Sequence, residues 1–317
     1  MIVMKILITG ASGFIGTYIV KELLDHGYEL YSLTRKKEYT IPGTKTFTGD
    51  ITNFPSLQPA IENVDAVIHN AAYANDWGKR RTFYDINVTG TRNVAEACEE
   101  NNINRLLYTS TAGIYGFPNN LDPIKESDGP TPKPLNDYGD TKILSENVLK
   151  EYSTLKTTII RPPMVFGAGG KPTRILVSKV ENGKAGYIGK GEKYISVVHP
   201  ADVAQLFRLA LDKEKEGAYN VVSFTCSIRE MFEAISERLN IDPPEKRFPF
   251  FVAYLMGYLS ELVARNEPSL TRFRVIKLGT SRIIDGTKAK KELGFIPNYD
   301  LDKTVEDMVS WYVNEDK

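Results

Sequence analysis

The stretch ILITGASGFIG, residues 6–16, decides the fold. Residues 3–9 form a short, β-branched and apolar run that is typical of a buried strand, and apolar side chains recur at helical spacing from residue 14 onward. Gly10, Gly13 and Gly16 therefore stand where a strand turns into a helix. Glycines there allow a tight turn, a close approach of the backbone to a pyrophosphate and close helix–strand packing. The stretch predicts a dinucleotide-binding turn, and a glycine turn without a ligand is the alternative.

Composition places the chain among ordinary globular proteins. Its 317 residues are 42% hydrophobic and 25% charged, which suits one large α/β domain or two smaller ones. Lys plus Arg and Asp plus Glu number 40 each. The balanced charge gives no reason to expect a nucleic-acid partner.

Cysteine and histidine usage indicates neither disulfides nor a metal. The two cysteines, Cys98 and Cys226, form no disulfide framework, as expected in a reducing cytoplasm. The three histidines are far apart, so we expect no metal site.

Residues 1–9 lack the pattern of a signal peptide. The most apolar later segment, residues 249–264, is too short to span a membrane and is predicted to be a substrate-domain helix.

Strand and helix patterns alternate through the first half of the chain. Strands are predicted at residues 28–34, 44–50, 65–72, 104–110 and 156–162, and helices at 82–100 and 138–152. This alternation predicts an α/β fold with a Rossmann-type, doubly wound parallel sheet. We place a dinucleotide-binding domain at residues 1–163, with a return near 195–223. A smaller, interleaved C-terminal substrate domain is predicted at 164–317.

A second pattern, YGDTK, places Tyr138 and Lys142 four residues apart at the start of a helix, so both lie on one helical face. An ammonium and an oxidised nicotinamide would both favour a tyrosine phenolate, which suits acid–base work on a carbonyl or alcohol. Thr111 follows the fifth predicted strand at the same sheet edge, where its hydroxyl could hold the substrate oxygen. Ser110 and a purely structural role for Thr111 are the alternatives.

Several motifs occur together in one order along the chain: the glycine turn at 10–16, GD at 49–50, HNAA at 69–72, INVTGTRNV at 86–94, YGDTK at 138–142, RPPMVFG at 161–167 and VHPADVA at 198–204. With this set the chain resembles the extended short-chain dehydrogenases/reductases over almost its whole length. The resemblance implies an enzyme in which Tyr138 transfers the proton, Lys142 binds the nicotinamide ribose and lowers the tyrosine pKa, and Thr111 is the hydroxyl partner.

The same resemblance implies a set of cofactor contacts. Asp50 and Ile51 match positions at the adenine, Asn87 fixes the cofactor and a nearby helix, and Pro162 lies against the carboxamide. The full predicted set is Gly10, Ser12, Gly13, Phe14, Ile15, Gly16, Arg35, Asp50, Ile51, Ala71, Ala72, Asn87, Thr109, Tyr138, Lys142 and Pro162. The family also implies a homodimer formed by the helices at 82–100 and 138–152.

The end of the second strand favours NADP over NAD. NAD enzymes commonly place a carboxylate there for the ribose hydroxyls, whereas this chain has Arg35 followed by Lys36 and Lys37. A guanidinium can pair with a 2′-phosphate through two charge-assisted hydrogen bonds. Binding of NAD through Asp50 and backbone groups is the alternative.

Substrate motifs favour ketone–alcohol chemistry on a mainly apolar small molecule. Ala112 and Gly113 follow Thr111 where nucleotide-sugar dehydratases have an Asp-Glu pair, and Met164 stands where epimerases usually have Asn. Residues 76–91 and 264–275 are similar to the branch of 3β-hydroxysteroid dehydrogenases and dihydroflavonol reductases, and the apolar residues 249–263 predict a hydrophobic pocket wall. A nucleotide-sugar epimerase with tightly bound NAD is the second functional hypothesis. A regulatory protein that binds cofactor without turnover is the third.

Overall fold

The computed structural model describes residues 3–264 and 266–315. Its strands in chain order are β1 (Lys5–Thr9), β2 (Glu29–Thr34), β3 (Thr44–Thr48), β4 (Ala66–His69), β5 (Arg105–Thr109), β6 (Lys156–Arg161), β7 (Met164–Val165), β8 (Tyr187–Ile188), β9 (Tyr194–Val198), β10 (Gly217–Asn220), β11 (Phe224–Ser227) and β12 (Arg247–Phe248). Over these described residues the main sheet has seven parallel strands in the order β3-β2-β1-β4-β5-β6-β10.

Helices cover this sheet and build the second part of the molecule. They are α1 (Phe14–Asp25), α2 (Gln58–Ile61), α3 (Arg80–Phe83), α4 (Gly90–Glu100), α5 (Asp137–Lys150), α6 (Lys171–Glu181), α7 (Pro200–Asp212), α8 (Ile228–Leu239), α9 (Phe250–Val263), α10 (Arg272–Gly279), α11 (Thr287–Leu293) and α12 (Leu301–Glu315). A π-helical segment, Tyr84–Thr89, joins α3 to α4.

Both faces of the main sheet are buried, as a parallel sheet requires. Side chains alternate along β1, so Ile6 and Ile8 pack with α1, α7 and α11 on one face. Leu7 packs on the other face with residues of α2, α4 and α5. The predicted doubly wound α/β fold is therefore confirmed.

Strand order reverses between β1 and β4, which opens a crevice at their carboxyl ends. The predicted return strand is β10, which pairs with β6. The short sheets β11-β9-β7 and β12-β8, with a third core that includes residues of α6, α8 and α12, form the smaller C-terminal part. The division at residue 163 stays a prediction.

Element bounds differ from the predicted ones by a few residues. The first strand begins at Lys5 rather than Val3, and the helix predicted at 82–100 begins at Arg80 and changes pitch in the π-helical segment. The helix predicted at 138–152 begins at Asp137, because the Asn136 side chain accepts a hydrogen bond from the Gly139 amide and caps it.

The apolar segment at 249–264 forms α9. Its side chains Ala253 and Met256 border a large cavity, whereas Phe251, Leu262 and Val263 are exposed. The predicted hydrophobic pocket wall thus comes from one side of the helix only. Among the described residues, no helix has both the length and the apolar character needed to cross a bilayer.

Candidate active site

A cavity of about 1020 Å³ lies along the carboxyl edge of the main sheet and extends into the C-terminal part. It brings together most of the predicted site residues from seven separate stretches of chain. Those that border it are Gly10, Ser12, Gly13, Phe14, Ile15, Arg35, Asp50, Ile51, Ala71, Ala72, Thr109, Thr111, Tyr138, Lys142 and Pro162.

The glycine turn is shaped for a close ligand. Gly10 has a φ of +70°, and a Cβ there would lie 2.7 Å from the Ala71 Cα. A Cβ on Gly16 would lie 2.1 Å from the Gly10 carbonyl oxygen, so glycine at this position lets α1 pack on β1. No side chain caps the first turn of α1. Its amides and the positive end of its dipole therefore fit a pyrophosphate.

Two of the predicted cofactor contacts lie outside the cavity lining, and their contact with a cofactor stays a prediction. Gly16 and Asn87 do not border the cavity. Gly16 is covered by the turn backbone, whereas the Asn87 amide donates to Thr141 Oγ1 at 3.0 Å and accepts from the Tyr73 amide at 2.8 Å. Asn87 therefore holds the loop after β4 against α5, one layer behind the ligand site.

The helix start places Lys142 beneath the cavity. Its Nζ donates to the Thr109 carbonyl oxygen at 2.6 Å and to the Tyr108 hydroxyl at 3.1 Å. The same nitrogen lies 6.0 Å from the centroid of the Tyr138 ring. Tyr138 and Lys142 therefore share one helical face, as their spacing predicts.

Burial sets the protonation of this pair. Desolvation lowers the pKa of Lys142 to about 7. Burial, with a smaller contribution from the Asp76 carboxylate, raises the pKa of Tyr138 above its ordinary value. The lowering of the Tyr138 pKa by Lys142 together with an oxidised nicotinamide stays a prediction. The tyrosine is held as a protonated hydroxyl, the form that donates a proton.

Adjacent hydroxyls at the end of β5 have different partners. Thr111 Oγ1 accepts from the Gly113 amide at 3.0 Å, which leaves its proton available to a ligand in the cavity. Ser110 is 1% exposed and donates to Glu146 Oε1 at 2.5 Å. The geometry favours Thr111 over Ser110 as the hydroxyl that meets a substrate.

Sequence reasoning missed part of the cavity lining. Phe117, Phe273, Lys277 and Arg282 border it, and Arg274 Nε donates to Asp76 Oδ2 at 3.3 Å. The last contact joins the two stretches 76–91 and 264–275. The only local signal was the three-residue spacing of Arg274 and Lys277, which usually indicates a solvated helix face.

The crevice at the strand reversal, its glycine cradle and the Tyr–Lys pair beside it define an oxidoreductase of the extended short-chain dehydrogenase/reductase type. Residues 6–222 match the model of the NAD-dependent epimerase/dehydratase family, and the chain belongs to that family. It is therefore an enzyme.

Curated relatives differ in their reactions. The chain is 28% identical to mouse sterol-4-alpha-carboxylate 3-dehydrogenase (decarboxylating), over 95% of this chain and 89% of that one. It is 26% identical to 2-alkyl-3-oxoalkanoate reductase of Stenotrophomonas maltophilia, over 95% and 97%. It is 27% identical to N-acetyl-alpha-D-glucosaminyl-diphospho-ditrans,octacis-undecaprenol 4-epimerase of Escherichia coli O157:H7, over 95% and 93%.

Proposed function

We propose that this enzyme interconverts a ketone and a secondary alcohol on a mainly apolar small molecule. The convergence of Thr111, Tyr138 and Lys142 on one cavity carries this proposal. The cavity continues past them between apolar side chains: Met164, Ile175, Leu176, Ile188, Phe232, Phe248 and Met256. A mouse dehydrogenase and a bacterial oxoalkanoate reductase among the relatives support the same chemistry.

The proposed roles follow from position and protonation. The glycine cradle would hold the pyrophosphate, and Lys142 and Pro162 would border the nicotinamide end. When bound, the nicotinamide cofactor supplies or accepts the hydride. Tyr138, whose pKa is raised by burial, donates its proton to the carbonyl oxygen during reduction; in the oxidation direction its deprotonated form accepts the proton of the alcohol. The Thr111 hydroxyl donates a hydrogen bond to the same oxygen and orients it.

A nucleotide-sugar epimerase is the second candidate, supported by the Escherichia coli relative. Met164, which borders the cavity, offers a thioether where epimerases usually place an amide, so it cannot supply that hydrogen bond. Conversion of a nucleotide sugar by enzyme with co-purified NAD, with no ketone reduced, would favour the epimerase.

Replacing Tyr138 tests the proposed function directly. Tyr138→Phe should cut the reduction of medium-chain ketones by about 10²- to 10⁴-fold, because it removes the proton donor. Cofactor affinity, measured by titration, should stay nearly unchanged. Tyr84→Phe, at an exposed position of the π-helical segment, is the matched control and should keep the wild-type rate. Full turnover by Tyr138→Phe would refute the assignment.

We further propose NADP(H) as the preferred cofactor. Arg35 is exposed at the end of β2 and borders the cavity, and within residues 3–264 and 266–315 it has no carboxylate partner. Arg35→Ala should weaken NADP binding by about 10- to 100-fold, the effect of losing a charged hydrogen bond, with NAD binding unchanged. Lys37→Ala, which lies outside the cavity lining, is the control. Equal or tighter binding of NAD to the wild type would contradict this choice.

A further inference from the structure

Two cations, Lys277 and Arg282, border the cavity. Arg282 is 7% exposed; its Nη1 donates to the Ala112 carbonyl oxygen at 3.3 Å, and its Cζ lies 4.2 Å from the centroid of the Phe117 ring. Lys277 Nζ lies 5.8 Å from the centroid of the Phe273 ring. The two rings pack edge to face at 5.6 Å. We call Lys277 and Arg282 the cationic wall.

The cationic wall lacks a negative partner in the described part of the chain, where neither residue forms an ion pair. Asp76, whose charge acts on Lys277, is itself held by Arg274 at 3.3 Å. Burial lowers the pKa of Arg282 to about 10, and burial together with Arg282 and Arg274 lowers that of Lys277. Arg282 is buried and Lys277 is half-buried. Buried charges are normally paired, so the unpaired positive charge indicates an anion that comes from outside.

The unused hydrogen-bond donors of Arg282 also indicate a bound anion. A guanidinium has five N–H donors, and Arg282 uses one of them on Ala112. Anchoring the Ala112 backbone would explain that single bond, but it does not explain a second unpaired cation on the same wall. The planar donors that remain suit a carboxylate.

Position identifies where on the substrate this anion sits. Ala112 directly follows Thr111, and the next amide, Gly113, donates to Thr111 Oγ1. The Arg282 guanidinium therefore adjoins the residue that would orient the reacting oxygen. We expect an anion bound there to lie near the reacting carbon, because Arg282 contacts the backbone of the residue that follows Thr111. The diphosphate of a nucleotide sugar is farther away, because the sugar ring separates it from the carbon that reacts.

We propose that Arg282 and Lys277 bind the substrate carboxylate, and that the substrate is a 3-oxo or 3-hydroxy acid with an apolar chain. The inference rests on the proposed ketone–alcohol function. The carboxylate on the neighbouring carbon would fix the carbonyl against Thr111 and Tyr138. The apolar chain would extend toward Phe232 and Met256, which also border the cavity.

Binding tests the carboxylate site without requiring turnover. The holoenzyme is titrated with decanoate and with decanamide, which has the same chain and no charge. Wild type should bind decanoate more tightly, and Arg282→Gln or Lys277→Gln should lose about 10- to 100-fold for decanoate and little for decanamide. Arg282→Lys should recover part of the loss. Lys290→Gln, on the exposed side of α11, is the control. Thermal unfolding and cofactor titration check that each variant is folded.

Oxidation rates distinguish a failure of the carboxylate site from a failure of the ketone–alcohol function. The oxidation of 3-hydroxydecanoate is compared with that of its methyl ester. The acid should have the higher kcat/KM, and Arg282→Gln should remove this preference while the rate with the ester holds. If acid and ester react equally well, or Arg282→Gln lowers both by one factor, the carboxylate role is overturned and the ketone–alcohol function stands.

The remaining outcomes are equally decisive. If neither compound is oxidised, the ketone–alcohol function fails, and the decanoate titration still decides the carboxylate site. If Arg282→Gln abolishes binding of UDP-glucose and leaves decanoate unaffected, the anion is a diphosphate and the proposal is wrong.

Discussion

At the scale of single residues, two neighbouring hydroxyls illustrate how one position in sequence changes a role. Thr111 borders the cavity with its proton available, whereas Ser110 donates to the buried Glu146 carboxylate. Both residues border the cavity, but the Ser110 hydroxyl is already engaged with Glu146. One of the two hydroxyls is therefore available to a substrate and the other stabilises the fold.

This difference predicts opposite effects of two substitutions. Thr111→Val should lower kcat for ketone reduction by about tenfold or more, because an oriented hydrogen bond to the reacting oxygen is lost. Thr111→Ser should retain most of the activity. Ser110→Ala should lower the free energy of unfolding by about 1–3 kcal/mol, since the Glu146 carboxylate loses a buried donor, and should change kcat little. Steady-state kinetics measure kcat, and urea unfolding measures the free energy of unfolding. A larger loss of kcat in Ser110→Ala than in Thr111→Val would assign the substrate-binding hydroxyl to Ser110.

At the scale of secondary-structure elements, a buried histidine ties β4 to its neighbours. His69 is 0% exposed, its Nδ1 lies 2.7 Å from Thr9 Oγ1 on β1, and its Nε2 lies 3.1 Å from Thr91 Oγ1 on α4. Burial, with the nearby Lys142 charge, lowers the pKa of His69 to about 3. The imidazole is thus neutral in the folded protein at neutral and mildly acidic pH.

A pH dependence of stability follows. The unfolded chain takes up a proton at His69 as pH falls below about 6.5, whereas the folded chain takes it up only near its lowered pKa of about 3. His69 therefore contributes fully to the free energy of unfolding above pH 6.5, and this contribution is lost as the pH falls. Between pH 6 and 5, the unfolding free energy of wild type should fall more steeply than that of His69→Asn, by up to about 1.4 kcal/mol per pH unit.

Chemical denaturation across that pH range, with His26→Gln at an exposed position as the control, measures the difference in slope. His26→Gln should follow the wild type. Parallel slopes for wild type and His69→Asn would show that the buried imidazole is protonated in the folded state.

At the scale of the whole molecule, a buried network of hydrogen bonds and one ion pair connects the main sheet to the C-terminal part. Arg161 pairs with Glu146 at 2.6 Å and donates to the Tyr115 hydroxyl at 2.8 Å. That hydroxyl donates to Asn220 Oδ1 at 2.8 Å, and the Asn220 amide donates to the Asp285 carbonyl oxygen at 3.1 Å. Strands β6 and β10 are thereby held to α5 and to the segment before α11.

Disrupting this network should destabilise the whole protein. Glu146→Gln leaves the Arg161 guanidinium buried without its counter-charge, a change that costs on the order of 3 kcal/mol. Glu151→Gln, which removes the exposed partner of Arg92, is the matched control and should leave the melting temperature unchanged. Equal melting temperatures for Glu146→Gln and wild type would contradict a stabilising role. The predicted homodimer through α4 and α5 stays a prediction.

The sequence by itself determined the sheet, the glycine turn and the pairing of Tyr138 with Lys142. Each depends on local order along the chain: apolar periodicity, glycines at a strand-to-helix junction, and a four-residue spacing on one helix. Such patterns are complete within about 20 residues, so they can be interpreted before any long-range contact is known.

Tertiary structure alone gave Ser110 and Thr111 their different hydrogen-bond partners, left Gly16 and Asn87 outside the cavity lining, and created the burial that raises the Tyr138 pKa. It also brought Arg282 to within 3.3 Å of the Ala112 carbonyl oxygen, 170 residues away along the chain. Desolvation and charge pairing depend on what surrounds a group from every side. Residues distant in sequence supply those surroundings, so no local pattern contains them.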